Sequence, residues 1–177
     1  MVDLEPTGCR TRFFNWNGTS AGQFAAQRGA GPTTIVESIR SAFAQSKSKQ
    51  LILVGHSWGG HTMLEVAEQL SGEPAIEIGL AIGLDASSFS RGARMELLPE
   101  NVKKFVNFYS GNSFCWGEWK DEQRVENIYL GDPANGFVVD GVPNYASKLD
   151  WGAHNAAEWD SNIQAAIIKR IVEFIPN

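Results

Sequence analysis

Leu51-Ile52-Leu53-Val54 runs without a polar residue straight into Gly55-His56-Ser57-Trp58-Gly59-Gly60, and a helix-period stripe of Met63, Leu64, Ala67 and Leu70 begins three residues later. An apolar run with no alternation reads as a strand buried on both faces, and the stripe as a helix packed on it. Only a very sharp turn joins the two across so few residues. That turn holds its central residue, Ser57, in a strained backbone conformation with the side chain exposed, and the glycines on either side remove Cβ atoms that would collide. It also sets the Trp58 backbone N–H at the positive end of a helix, aimed at a developing oxyanion.

The rest of the chain repeats this alternation. Further runs rich in β-branched and aromatic residues lie at Thr11–Trp16, Ile76–Leu84, Val102–Tyr109 and Val125–Leu130, with the first run extending over Gln50–Val54. Helical stripes fall between and after them. Thr34 and Glu37 match a capping box ahead of Ile35, Ile39, Ala42 and Phe43, in a helix expected to end near Lys47; Gly72 and Pro74 stop the second helix. Ser161 and Gln164 match a second capping box before Ile163, Ile167, Ile171 and Phe174. Such a pattern predicts an α/β fold, a mostly parallel sheet of about five to six strands with helices on both faces, in one domain over residues 1–177. Ligands of open parallel sheets sit at the carboxyl ends of the strands, so chemistry is sought there.

Composition removes several other partners. The chain has 15 Lys and Arg against 20 Asp and Glu, a net charge of −5, and no basic run able to track a phosphate backbone, which argues against nucleic acid. No apolar stretch approaches the roughly 18 residues of a membrane span. The N-terminal MVDLEPTGCR lacks the apolar core of a signal peptide, which makes the cytoplasm the expected compartment. Cys9 and Cys115 are too few for a disulfide scaffold and are not spaced as metal ligands. Cys9 precedes the first expected strand and Cys115 follows a later one, which sets them at opposite ends of a parallel sheet as free thiols, farther apart than a disulfide reaches.

Through LILVGHSWGG at 51–60 the chain resembles the α/β-hydrolase superfamily, and its lipases and esterases in particular. The resemblance implies a minimal three-layer version of that fold, with Ser57 as nucleophile and an acid and then a His following in chain order. Of three histidines, His56 lies inside the elbow and is read as packing or support for the site, and His61, on the helix after Ser57, breaks that order. His154, in a loop directly before the final helix, stands where these enzymes carry the catalytic His. Asp85 ends the strand beyond Ser57 in Gly83-Leu84-Asp85-Ala86, close to the Gly-Leu-Asp-Pro-Ala stretch of pancreatic-lipase-like members but with Ala86 for the proline. Asp132 and the Glu118–Glu122 cluster remain as alternative acids.

The family's first strands and their oxyanion loop have no counterpart in the given sequence, which is then either a reduced version of the fold or a fragment. FFNWNG resembles the stretch before the first helix of many members, so the Asn15–Ser20 loop, with Asn17 and Gly18, is the expected source of the second oxyanion donor beside Trp58. The aromatic stretch SFCWGEWK places Phe114, Trp116 and Trp119 beyond a strand end, as an apolar pocket wall over Ser57. The reading that results is a cofactor-independent, metal-independent serine hydrolase acting on a small-molecule ester or lipid. A thioesterase or lactonase on the same three residues, or a binding module that keeps the elbow without catalysis, are the alternatives.

Overall fold

A computed structural model describes residues 12, 32–45, 50–87, 97–121, 123–138 and 143–175. Four strands, β1 (Gln50–His56), β2 (Glu77–Leu84), β3 (Phe105–Tyr109) and β4 (Val125–Tyr129), form one sheet in the order β1-β2-β3-β4, every pair parallel. These are the four later runs expected from the sequence. The fifth, at 11–16, lies outside the described residues apart from Arg12, so the sheet has four strands among the described residues where about five to six are expected. Val102 touches Ile78 through an isolated parallel bridge, which accounts for β3 beginning at Phe105 and not at Val102.

Helices α1 (Pro32–Gln45), α2 (Trp58–Leu70), α3 (Trp151–Trp159) and α4 (Ser161–Phe174) cover the sheet on both faces. Met63, Leu64 and Ala67 of α2 pack on Ile78, Ala81 and Phe105, while Val36 and Ile39 of α1 pack behind them on Val66 and Leu70. On the other face Ala153 and Ala157 of α3 and Ile163 and Ile171 of α4 meet Leu80, Ile82, Leu84, Val106 and Phe108. From Ile78 to Leu84 every residue of β2 is buried, which is why its sequence lacks the alternation of a one-sided strand. Gly79 is one extra residue in that strand, since Leu51 pairs with Ile78 but Ile52 with Leu80, and the slip turns Ile78 toward α2 and Leu80 toward α4. A Cβ on Gly79 would stand 2.3 Å from the Phe174 ring of α4.

Two helix starts differ from expectation. α4 is capped by Asp160, whose carboxylate accepts from the N–H groups of Asn162 and Ile163, and not by Ser161, which is the first helical residue. α1 begins at Pro32, a residue whose φ is already helical and whose missing N–H costs nothing in a first turn, so Thr34 lies inside the helix. No helix of the described residues is long and apolar enough to cross a membrane.

Candidate active site

Ser57 joins β1 to α2 with φ 54° and ψ −123°, a left-handed φ that costs a non-glycine residue about 1–3 kcal/mol. Backbone hydrogen bonds hold it there: Ser57 N–H donates to Leu84 C=O at 2.9 Å, and the Ser57 C=O accepts from Gly60 and Ser87 at 3.0 and 3.1 Å. Two glycines make room. A Cβ on Gly55 would lie 2.3 Å from the Gly59 oxygen, and one on Gly60 would lie 2.5 Å from the Ala86 Cβ. Gly59, expected from the motif to relieve a clash, has open space at its Cβ position. The crowded partner of Gly55 is therefore Gly60, through the approach of α2 to the turn after β2.

Asp85 ends β2, also with a left-handed φ of 45°, and its N–H donates to Phe108 C=O on β3 at 2.7 Å. Its fully buried carboxylate takes three hydrogen bonds: from Ser110 N–H to Oδ1 at 2.9 Å, from Ser110 Oγ–H to Oδ2 at 2.9 Å, and from His154 Nδ1–H to Oδ2 at 2.7 Å. Burial alone would push this carboxyl up; the donors from His154 and Ser110 outweigh it and hold Asp85 below the ordinary carboxylate value, ionised at neutral pH. Asp132 is exposed and caps the turn Pro133–Asn135, and Asp121 pairs with Arg124, so neither faces His154.

His154 is buried in the first turn of α3, a helix where the sequence reads as a loop. Asp150 caps that helix, its carboxylate accepting from Ala153 N–H at 2.9 Å. With Nδ1–H donated to an ionised Asp85, the lone pair of Nε2 faces the Ser57 hydroxyl at 2.8 Å and accepts its proton. Ser87 Oγ stands 3.3 Å from Ser57 Oγ. Since the Ser57 proton is committed to His154, Ser87 is the donor in that contact. His56 lies beside this group, its ring 4.9 Å from that of His154 and its Nε2–H donating to the His154 carbonyl at 3.1 Å. Burial, and then the neighbouring His154, push His56 below the ordinary histidine value, so it supports the site as a neutral donor.

A polar chain that the sequence does not announce ties Asp85 to the helix of His154. Asp150 N–H donates to Asn112 Oδ1 at 2.7 Å, and Asn112 Nδ2–H donates to Ser110 Oγ at 2.9 Å. Ser110 Oγ also accepts from Asn112 N–H at 3.2 Å, which leaves its own proton directed at Asp85. The polarity of every link is fixed because both ends, a backbone N–H and a carboxylate, allow one direction only. Gly111 lets this loop lie against residues 145–147: its N–H donates to Tyr145 C=O at 2.7 Å, and a Cβ there would meet the Ala146 oxygen at 2.6 Å. Replacing Asn112 by Asp keeps the shape and reverses one link, setting an acceptor against the Ser110 oxygen. On the scale of about 1.5–3 kcal/mol for a hydrogen bond to a charged group, the fold loses about that much stability. Chemical denaturation of Asn112→Asp beside Asn112→Ala checks this; equal, small losses in both would remove the directional role.

The residues expected to wall a pocket fall into two groups, Phe114 beside His154 and Trp116 beside Trp119. Phe114 stacks on Trp151 with ring centroids 4.0 Å apart, and both stand edge-on to His154, at 5.0 and 5.8 Å. Trp116 meets His61 edge-on at 5.6 Å and Trp119 edge-on at 5.8 Å. Trp119 is a core residue, 2% exposed, packed edge-on to Phe105 beneath α2. Trp151, not foreseen from the sequence, stands with Phe114 beside His154. Asn17 and Gly18 lie outside the described residues, and Trp58 opens α2 directly after Ser57.

Cys115 is the other residue the sequence does not place here. Its Sγ is 3.5 Å from His154 Nδ1, and its backbone bridges to Ser87. Burial first, then the charge of Asp85, push its thiol far up, so it is a neutral thiol beside the imidazole. Cys9 lies outside the described residues. The chain matches no protein family, no curated protein and no solved structure.

Proposed function

We propose that this chain is a serine hydrolase of the α/β-hydrolase type that cleaves carboxylic esters through an acyl-enzyme on Ser57. The observation that carries the reading is the Ser57 Oγ–His154 Nε2–Asp85 alignment, at 2.8 and 2.7 Å, with the serine strained outward at a strand-to-helix turn. A serine hydroxyl is a weak nucleophile until a base takes its proton. As Ser57 Oγ attacks the ester carbonyl, His154 Nε2 accepts the hydroxyl proton, and ionised Asp85 stabilises the imidazolium through Nδ1–H. The carbonyl oxygen becomes an oxyanion near the positive end of α2, where the Trp58 backbone N–H is a donor. His154 then returns the proton to the departing alcohol, and a water activated by the same Nε2 releases the carboxylic acid. The substrate is a small-molecule ester or lipid, with its reacting carbonyl beside Phe114 and Trp151.

A fluorophosphonate probe followed by peptide mapping tests the reading. Labelling on the peptide bearing Ser57, absent after denaturation, is the expected result. No labelling, or labelling confined to another residue, would make the chain a binding module that keeps only the elbow. Comparing turnover across an ester, a thioester and a lactone of one acyl group then separates esterase from thioesterase and lactonase.

A further inference from the structure

Asp85, Cys115 and His154 come from the end of β2, the loop after β3 and the first turn of α3, yet their Oδ, Sγ and Nδ1 atoms all lie within 4.8 Å of one another. We propose that these three side chains form a site for a thiophilic divalent cation of the zinc and cadmium class, and that its occupancy switches off the hydrolytic centre. The regulatory half of this inference rests on the hydrolase reading above; the binding half does not.

The donor set defines the cation. One carboxylate, one imidazole and one thiol make the mixed oxygen, nitrogen and sulfur set that four-coordinate zinc accepts, and the sulfur discriminates against magnesium and calcium. Tetrahedral bonds of roughly 2.0–2.3 Å hold neighbouring ligand atoms roughly 3.3–3.8 Å apart. The separation of Sγ from Nδ1, 3.5 Å, already falls in that range, and that of Nδ1 from Oδ2, 2.7 Å, needs a small opening as the cation replaces the proton between them. Asp85 and His154 are buried, whereas Cys115 is only half-buried, so the cation enters past the sulfur. A water completes the fourth position.

Catalysis stops through the tautomer of His154. Binding displaces the thiol proton of Cys115 to solvent, one proton per cation, and the cation takes the Nδ1 lone pair. The neutral imidazole keeps its single proton, which moves from Nδ1 to Nε2. Nε2–H now donates to Ser57 Oγ and has no lone pair with which to accept the serine proton. The charge of Asp85 is spent on the cation. Ester binding at Ser57 is untouched, so inhibition is non-competitive, and a chelator reverses it.

The experiment uses the full chain as wild type, Cys115→Ala and Cys9→Ala. Cadmium titration should produce one equivalent of ultraviolet thiolate-to-metal charge-transfer absorption, with one proton released, in wild type and Cys9→Ala. In Cys115→Ala the band should vanish and cadmium affinity fall about 100-fold or more. Zinc should inhibit ester turnover of wild type and Cys9→Ala, reversed by EDTA, while Cys115→Ala needs about 100-fold more zinc relative to its own uninhibited rate. A band that persists in Cys115→Ala or vanishes in Cys9→Ala would overturn the site, as would zinc sensitivity unchanged by Cys115→Ala. A chain that shows the band but never labels with fluorophosphonate would retain the cation site and lose the hydrolase reading. One that labels on Ser57 without the band would do the reverse.

Discussion

Ser57→Ala, His154→Ala and the double variant each lose about a million-fold in kcat for a chromogenic ester, and the double variant is no worse than either single one. The two groups act on one proton, so removing either leaves nothing for the other to do. What survives in all three is the contribution of binding and of the oxyanion donors, which needs neither side chain. Steady-state rates beside thermal unfolding provide the check: losses that add across the pair would mean Ser57 and His154 are not a catalytic unit. A further contrast comes from the backbone. Ser57→Gly is equally inactive but more stable than Ser57→Ala by about 1 kcal/mol, because glycine occupies φ 54° without the Cβ penalty.

Asp85→Asn loses about ten-thousand-fold in kcat while the fold persists. An amide at this position turns an acceptor into a donor at the atom facing His154 Nδ1. The imidazole answers by holding its proton on Nε2, where it cannot accept from Ser57. Ser110 fares worse still, since its N–H and Oγ–H both donate to the carboxylate and one of them loses its acceptor. Asp132→Asn, at an exposed turn cap, leaves kcat within about twofold of wild type on the usual scale of surface substitutions. If Asp132→Asn carries the loss in place of Asp85→Asn, the pairing of acid and base is wrong.

Ser57, Asp85 and His154 were legible because each stands where a local pattern ends. An unbroken apolar run stops at Gly55 and another at Asp85, and His154 lies in the segment that precedes the stripe of α4 starting at Ile163. Strand ends in a parallel sheet share one edge, so such residues converge without any knowledge of side-chain contacts. Asn112 and Cys115 obey no such rule. They lie on an irregular loop, and their partners, Asp150 and His154, are 38 and 39 positions away. The helix of His154 was hidden by Gly152 and Asn155, poor helix formers that tertiary packing of Ala153 and Ala157 overrides. Asp160 and Ser161 are both good caps, one residue apart, and only the two hydrogen bonds to Asp160 choose between them. Trp119 misled because an aromatic in a loop reads the same whether it lines a cleft or fills the core.

The chain leaves β4 at the far edge of the sheet and returns over its middle, where α3 delivers His154 and α4 covers β2. The cover of the hydrophobic interior and the proposed base, His154, thus belong to one hairpin. Loss of activity on damage to this hairpin cannot be told from unfolding by rate alone. Substitution at position 154 alone would remove the imidazole and leave the apolar contacts of Ala153, Ala157, Ile163 and Ile171 in place.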